Sequence, residues 1–561
     1  MRRFAYIANA VAARSGKLDK IELIAQYLRE LDDADLRAAA RFFTGNPFAA
    51  RDQRSLNLGG RSIVAVAKRA WGFDDSALSA RYRETGDLGS ALGPLLQPPS
   101  DLMLFAGETL TPALLDALFV QIADESGKNA GKKREAVLER ILRACSDPLE
   151  ATYVIKIVTG DLRIGLREGL VHDAIAQAFE TTHRDVHRAV MACGDVGEVA
   201  VAAKHHALDA IHVAYGSPVG FMLATPIPYG DTYKDLRGQS WIAEDKYDGI
   251  RAQAHVADGI VTLYSRNFNE VTHSYPEIAK ALATQPHRLI LDGEIIASKD
   301  GKALPFRILQ ARLQRKEIDP ALLEDVPLAY VVFDAIAVDD EFLIDEPLLE
   351  RRARLTQAFE PVPGVALAAF ERLDGDTSPG EINDRFEAAR KRGNEGLMLK
   401  RVDAPYVPGR RGKWWHKLKR ELTTLDVVVV AVEWGHGRRA KVLSDYTFAV
   451  QDDEGNLLTI GKAYSGLTDA EIASMTQWFL AHPLEQGQTR TRRALAVEPA
   501  VVIEVAFDIV QRSDLHESGY SLRFPRIVRI RDDKPVAQIN TLADVDAIYA
   551  AMLQREAIAH E

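Results

Sequence analysis

The sequence predicts a multidomain chain with an all-α N-terminal region, a mixed α/β (α+β) middle domain and a β-barrel C-terminal domain. Three observations predict it. Up to about residue 215, apolar residues recur at three- and four-residue spacing, the period of amphipathic helices. A Gly- and Pro-rich stretch, YGSPVGFMLATPIPYGDTY, follows, and beyond it short strand-like runs alternate with helical ones. After Arg420 the pattern is β-rich around one amphipathic helix. A length of 561 residues suits about three domains of roughly 100–200 residues, placed at 1–215, 220–422 and 423–561.

In the first region IELIAQYLREL, SALSARYRETG, PALLDALFVQIADESG and REAVLERILRA read as helices. Further on, Gly160 and Gly165 flank Asp161, Leu162 and Arg163 between two apolar helical segments. This predicts a helix–loop–helix whose backbone can approach a ligand. Tyr215 to Tyr233 reads as a boundary or linker. In the middle domain WIAEDK, RAQAHV, IVTLYSR, RLILDGEIIAS and YVVFDAIAV read as strands, and Pro276 to Leu282 and Glu350 to Phe359 as helices. Ser378 and Pro379 supply the N-cap and first turn of a helix ending near Gly393. In the last region LDVVVVAVEWG, YTFAVQDD, LLTIGKAYSG and AVVIEVAFDIV surround the helix TDAEIASMTQWFLAH. Several short strands with one helix suggest a compact Greek-key barrel of the OB type, completed by a final helix, ADVDAIYAAMLQREA.

Composition narrows the class. With 47% hydrophobic and 27% charged residues, 38 Gly and 24 Pro, the chain is globular rather than disordered or collagen-like. Cys145 and Cys193 alone build neither a disulfide framework nor a four-cysteine zinc site, and a reducing cytoplasm fits them best. Arg14 interrupts the N-terminal apolar run, so it reads as a cytoplasmic helix rather than a signal peptide. No stretch approaches the ~20 apolar residues of a membrane span. The net charge of −10 argues weakly against nucleic acid. Basic residues nevertheless crowd into Lys400–Arg420 and Arg523–Lys534, and it is their distribution that matters for a phosphate-rich partner.

The segment AEDKYDGIRAQA places Lys246 at a strand end, before a turn at Asp248 and Gly249 and a second strand opening with Arg251. A nucleophilic lysine must lose a proton from an ordinary pKa of ~10.4, helped by nearby positive charge or desolvation. Arg251, Lys417 and Lys419 are expected to supply that field, together with a bound triphosphate and metal. On this segment alone, a surface turn with a solvated lysine is an equal alternative.

From Lys246 to Lys534 the sequence resembles the ordered motif set of the covalent nucleotidyltransferases, and specifically the ATP-dependent DNA ligases. KxDGxR is matched by Lys246, Asp248, Gly249 and Arg251, with Glu244 just before it; SRN by Arg266; LDGEII by Glu294; YVVFDAI by Phe333; EGLMLK by Glu395; and WHKLK by Lys417 and Lys419. LRFPRIVRIRDDK matches the last motif through Arg523, Arg526, Arg531, Asp533 and Lys534. Each motif alone is weak; their order carries the resemblance, which covers residues 220 to 540 strongly and the helical region mainly through GDLRIGL.

The resemblance implies that Lys246 attacks the α-phosphate of ATP, with Lys417 and Lys419 stabilising charge there. It implies that Glu244 reads adenine, Phe333 stacks on it, and Arg251, Arg266 and Arg411 bind ribose or phosphate, with Arg410 as an alternative to Arg411. Glu294 and Glu395 would hold Mg²⁺, for which Mn²⁺ is a substitute. Arg526 and Lys534 would meet the leaving pyrophosphate only if the barrel closes on the nucleotide, and Gly160, Arg163 and Gly165 would touch DNA. The implied partner is nicked duplex DNA; a monomer, a cytoplasmic or nucleoid location and a role in repair or replication are expected, and the motifs identify no helicase or nuclease partner. RNA ligase and mRNA-capping guanylyltransferase share the lysine chemistry, but the helical N-terminal region favours DNA ligase. An NAD-dependent ligase lacks its four-cysteine zinc module here, and a catalytically dead nucleic-acid clamp would have lost Lys246 or the motif carboxylates. GNLLTIGKA departs from a phosphate loop in spacing and at Ala463. Histidines 205, 206, 416 and 436 are read as surface or core residues.

Overall fold

Capped amphipathic helices build the first two hundred residues. Asp32, Thr111, Asp147, Thr182 and Asp195 each accept a backbone N–H of the helix they precede, satisfying donors that an uncapped first turn leaves orphaned. The helices include Arg2–Ala13, Lys17–Arg29, Asp33–Phe43, Gly60–Trp71, Pro112–Asp124, Ala130–Ala144, Pro148–Val158, Glu168–Ala178, His183–Cys193 and Val196–Lys204. Their apolar faces share one core around Phe4, Phe42, Phe43 and Phe119. The computed structural model describes residues 1–96, 109–299, 301–312, 320–409, 411–419, 423–484 and 494–558. The chain divides into two compact units, Met1–Arg81 with Leu88–Lys419, and Tyr82–Asp87 with Arg420–Glu561.

The rest of the first unit is built on β1 (Leu223–Pro228), β2 (Trp241–Lys246), β3 (Ile250–Ala257), β4 (Ile260–Ser265), β5 (Leu289–Lys299) and β6 (Lys302–Ala303). It continues with β7 (Leu328–Val338), β8 (Glu341–Phe342), β9 (Val365–Leu367), β10 (Phe370–Leu373), β11 (Gly396–Arg401) and β12 (Arg411–Lys419). One sheet runs β1-β12-β11-β2-β10; a second runs β4-β3-β5-β7-β8, with β6 on β5 and β9 on β7. The first is backed by the helix Pro379–Lys391, whose N-terminus is the predicted Ser378 cap closed into a box with Glu381. The second packs on Pro276–Leu282 and Leu348–Ala358.

The reading of Tyr215–Tyr233 as linker is corrected by β1, which pairs in parallel with β12. Pro226 and Pro228 are tolerated because β1 is the edge of its sheet, where a missing N–H breaks no ladder. The same segment is pinned to β3 by His255, whose Nδ1 accepts from Gly216 N at 3.1 Å and whose Nε2 faces Gln253 Oε1 at 2.8 Å. Burial lowers the His255 pKa from 6.5 to about 3. An unfolded chain takes up this proton below about pH 6.5 while the folded one refuses it, so folding stability is lost as pH falls toward 3. The expected slope is about 1.4 kcal/mol per pH unit from this group. Urea unfolding at several acid pH values should show a shallower slope in His255→Gln; equal slopes would show that His255 is not the linked group.

The second unit holds β13 (Thr423–Trp434), β14 (Leu443–Gln451), β15 (Leu457–Ala463), β16 (Ala494–Ala496), β17 (Val502–Phe507), β18 (Val510–Arg512), β19 (Tyr520–Leu522) and β20 (Arg526–Ile530). Six of them pair as β15-β14-β13-β17-β20 with β16 on β13, and β18 pairs β19. Ile527 N–H donates to Ser465 O at 2.8 Å, which links β20 to the chain just beyond β15. The expected helix is Asp469–Ala481, opened by a Thr468 capping box, and the last is Leu542–Ile558. The strand β20, inside the basic motif, escaped the periodicity because only Ile527 of its five residues is buried. No helix among the described residues is long and apolar enough to cross a membrane.

Candidate active site

Strand alternation separates core from chemistry in the first sheet. Trp241, Ala243, Leu397, Leu399 and Leu418 point into the core beneath Pro379–Lys391, so their neighbours face the other way. The antiparallel register then sets those neighbours in rows: Glu244 opposite Met398 opposite Lys417, and Lys246 opposite Gly396 opposite Lys419. Gly396 is required by the packing beneath the sheet, since a Cβ there would collide with the Leu418 carbonyl oxygen and the Phe386 ring. Gly249 of the KxDG turn is required for a similar reason, since its Cβ would meet Ile295 O and Glu294 Cγ.

Lys246 Nζ is ion-paired to Glu395 Oε2, and Glu395 N–H donates to Lys246 O at 2.8 Å. Burial by itself would lower the lysine pKa, but Glu395, Glu294 and Asp248 outweigh it and hold it above its ordinary value. The expected positive field therefore does not activate Lys246 in this state. It acts on Lys417, whose pKa is lowered by burial and then by Lys419, Lys246 and Arg411. Burial pushes the Glu294 carboxyl up to about 7 against the pull of Lys246 and Arg251. Glu395 is held below its ordinary value because Lys246, Lys419 and Lys417 overcome its burial. Among the described residues no group of three or more His, Cys, Asp or Glu is placed to hold a metal. The two carboxylates around Lys246 offer hard oxygen donors to an ion that takes the rest of its shell from substrate and water.

Around Glu244 lies a largely buried wall of charged and aromatic side chains. Glu244 meets Lys400 Nζ at 2.5 Å and Arg352 Nη1 at 3.2 Å, all three side chains being at most 7% exposed. Phe333 is the extra residue of a β-bulge, since Asp292 pairs with Asp334 but Gly293 with Val332. Its ring has Lys400 Nζ at 4.1 Å and the Arg251 guanidinium at 5.5 Å from its centroid. Arg251 is itself committed: it forks onto Asp292 at 2.9 and 2.6 Å and donates to Met222 O at 2.7 Å. Asp292 also accepts from Tyr406 at 2.6 Å.

Arg266 is exposed at the turn after β4, and Arg411 is exposed at the start of β12; Arg410 and Arg420 lie outside the described residues. In the second unit Arg526 is exposed on β20. Lys534 is held by Asp426 at 2.7 Å, and Arg531 bridges Asp426 and Asp533. Gly160, Arg163 and Gly165 all take positive φ, 68°, 51° and 65°, in a loop anchored by buried Leu162 and Ile164 and by Lys20 Nζ on Ile164 O at 2.8 Å. Arg163 Nε meets Asp161 at 2.6 Å. His416 is buried and His205 pairs with Asp33.

Sequence reading missed Arg352, Lys400, Asp292 and Tyr406 as parts of this wall, and Trp415, whose ring centroid lies 4.4 Å from Lys400 Nζ. Two had a local signal: Asp292 and Lys400 lie at even spacing on their strands from Glu294 and Gly396. Arg352 comes from a helix and had none.

Family models match the chain over most of its length: "DNA ligase N terminus" at residues 1–176, "ATP dependent DNA ligase domain" at 221–419, and "ATP dependent DNA ligase C terminal region" at 439–534. A protein of Koribacter versatilis named "Probable DNA ligase" is 43% identical over 579 residues, covering 99% of this chain and 97% of its own. A DNA ligase of Methanocorpusculum labreanum is 34% identical over 558 residues, covering 99% of both. The solved structure named Pmar-Lig_PreS3 aligns with 94% of this chain and 99% of its own at a TM-score of 0.56 and 17% identity, a likeness of fold alone.

Proposed function

The chain belongs to the ATP-dependent DNA ligases, and from that premise we propose that it seals nicks in duplex DNA through an AMP adduct on Lys246. The observation that carries this reading is the strand register that sets Lys246 and Lys419, and Glu244 and Lys417, in two rows on one face of the sheet with one strand between them. The Lys246 ammonium, paired with Glu395, first gives a proton to water; its neutral Nζ then forms a bond to the α-phosphorus of ATP as the bond to pyrophosphate breaks, and the further proton that the nitrogen sheds as the phosphoramidate forms also passes to water. Lys417 and Lys419 stabilise the charge that develops on the α-phosphate oxygens. Glu244 accepts from the adenine amino group, Phe333 supports the ring, and Arg251, Arg266 and Arg411 serve ribose and phosphates.

Glu294 and Glu395 are the residues that would hold Mg²⁺, which when bound supplies charge neutralisation at the phosphates. Their chemistry fits: two carboxylates share one lysine, and burial raises Glu294 to about 7, so a hard cation would offset a strained charge. AMP then passes to the 5′-phosphate of the nick, and the 3′-hydroxyl displaces it. The division at 1–215, 220–422 and 423–561, and an OB-type barrel in the last domain, belong to the same proposal; the latter is supported by the hydrogen bond that links the ends of the strand path.

Intact mass after incubation with Mg²⁺ and ATP, GTP or NAD tests the chemistry. One AMP adduct from ATP is expected; a GMP adduct would point to capping, and an adduct only from NAD would overturn the nucleotide assignment. The helical region is proposed to hold duplex through phosphate contacts, independent of sequence and sensitive to salt. Arg163→Ala should weaken nick binding and reduce the slope of log affinity against log salt by about 1; an unchanged slope in a binding titration would remove Arg163 from the DNA surface.

A further inference from the structure

Arg352 is buried, belongs to the helix Leu348–Ala358, and ends among groups from two strands and the link between two others. Its Nη1 donates to Glu244 Oε1 on β2 at 3.2 Å and to the carbonyl of Phe333 on β7 at 2.8 Å. Its Nη2 donates to the carbonyl of Ala368, between β9 and β10. The guanidinium lies 5.0 Å from the centroid of Phe370, which pairs with Glu244 in the β10–β2 ladder. One planar fork thus touches the carboxylate assigned to the adenine amino group and the backbone of the aromatic assigned to its ring.

We propose that Arg352 is a positioning residue for nucleobase selection, fixing the Glu244 carboxylate relative to Phe333 so that the pocket prefers a purine presenting an amino donor at C6. The inference rests on the assignment of Glu244 and Phe333 to adenine.

Lys400 also holds Glu244, but the two cations differ. Burial lowers the Lys400 pKa, against the pull of Glu244 and Asp334, and an ammonium offers a point charge without a preferred plane. A guanidinium keeps its charge when buried and donates in a fixed fork. Arg352 is therefore the group able to set the direction of the carboxylate's free lone pairs. A carboxylate held as an acceptor favours adenine, whose C6 substituent donates, over guanine, whose C6 oxygen accepts.

The test crosses an enzyme change with a ligand change. Formation of the Lys246 adduct is measured by intact mass with ATP and with purine riboside triphosphate, which lacks the C6 amino group, in the wild-type chain, Arg352→Met and Arg352→Lys. A hydrogen bond to a charged group predicts that the wild type prefers ATP by about 10- to 100-fold in kcat/KM. In Arg352→Met the preference should collapse toward 1, mainly through a higher KM for ATP, with purine riboside triphosphate little affected; Arg352→Lys should keep part of it. Loss of folding would lower both substrates together, and Arg352→Lys, which retains the charge, then carries the decision. If the wild type discriminates and a folded Arg352 variant discriminates equally well, this inference is overturned. If the wild type forms no adduct, or does not discriminate, the assignment of the pocket fails instead.

Discussion

Lys246→Ala loses the AMP adduct, and its nick sealing from ATP falls by about 10⁴-fold or more, the scale on which removing a nucleophile acts. Lys417 and Lys419 are not expected to replace it. They lie on β12, separated from β2 by the one strand β11, where they would meet the oxygens of the α-phosphate while the phosphorus faces Lys246. Sealing of a nick that already carries AMP on its 5′-phosphate should survive, because that step forms no bond to lysine. Parallel assays on the two DNA substrates separate a lost nucleophile from a lost fold. An adduct of wild-type stoichiometry in Lys246→Ala would place the nucleophile on one of the other two lysines.

The pH dependence of adduct formation follows from the ion pair. Glu395, Glu294 and Asp248 keep the Lys246 ammonium above its ordinary pKa despite burial, so the neutral amine is scarce at pH 7 and becomes less scarce as pH rises. kcat/KM for ATP, which reports ionisations of the free enzyme, should climb about tenfold per pH unit from pH 6 to about pH 9, roughly a thousandfold in all. In Glu395→Gln the largest raising charge is gone, and the climb should level off at a lower pH while the maximal rate falls. Rapid-quench measurements over that range check both. A wild-type plateau below about pH 7 would mean that Lys246 is already deprotonated and that the ion pair with Glu395 does not govern its reactivity.

Local information in the sequence was enough for three things. Helical period marked the first two hundred residues, because an amphipathic stripe has to be written at 3.6-residue spacing to reach a core. The Ser378 cap and its box with Glu381 are local hydrogen bonds between residues three apart, and so appear in the string itself. The order of KxDGxR, LDGEII, EGLMLK and WHKLK named the motif residues before any geometry was known. The family models place the chain among the ATP-dependent DNA ligases.

What the string lacked was the neighbours across the sheets. Pro226 and Pro228 read as a linker because only the β1–β12 pairing makes their segment an edge strand. Lys246 looked like a lysine awaiting positive charge, yet the fold sets it against Glu395, nearly 150 residues later in the chain, and reverses the direction of its pKa. Arg251 and Lys534, which the resemblance assigns to phosphates, are ion-paired here to Asp292 and Asp426, and no local signal named those partners. Arg352 carried no signal because its partners lie on three distant segments of the chain. The sequence by itself determined most of the elements and the motif residues, since periodicity, caps and motifs are properties of short stretches. Tertiary structure alone decided which charges are paired, because Coulombic and hydrogen-bonded partners are chosen by proximity in space, and strand register brings together residues that chain distance keeps apart.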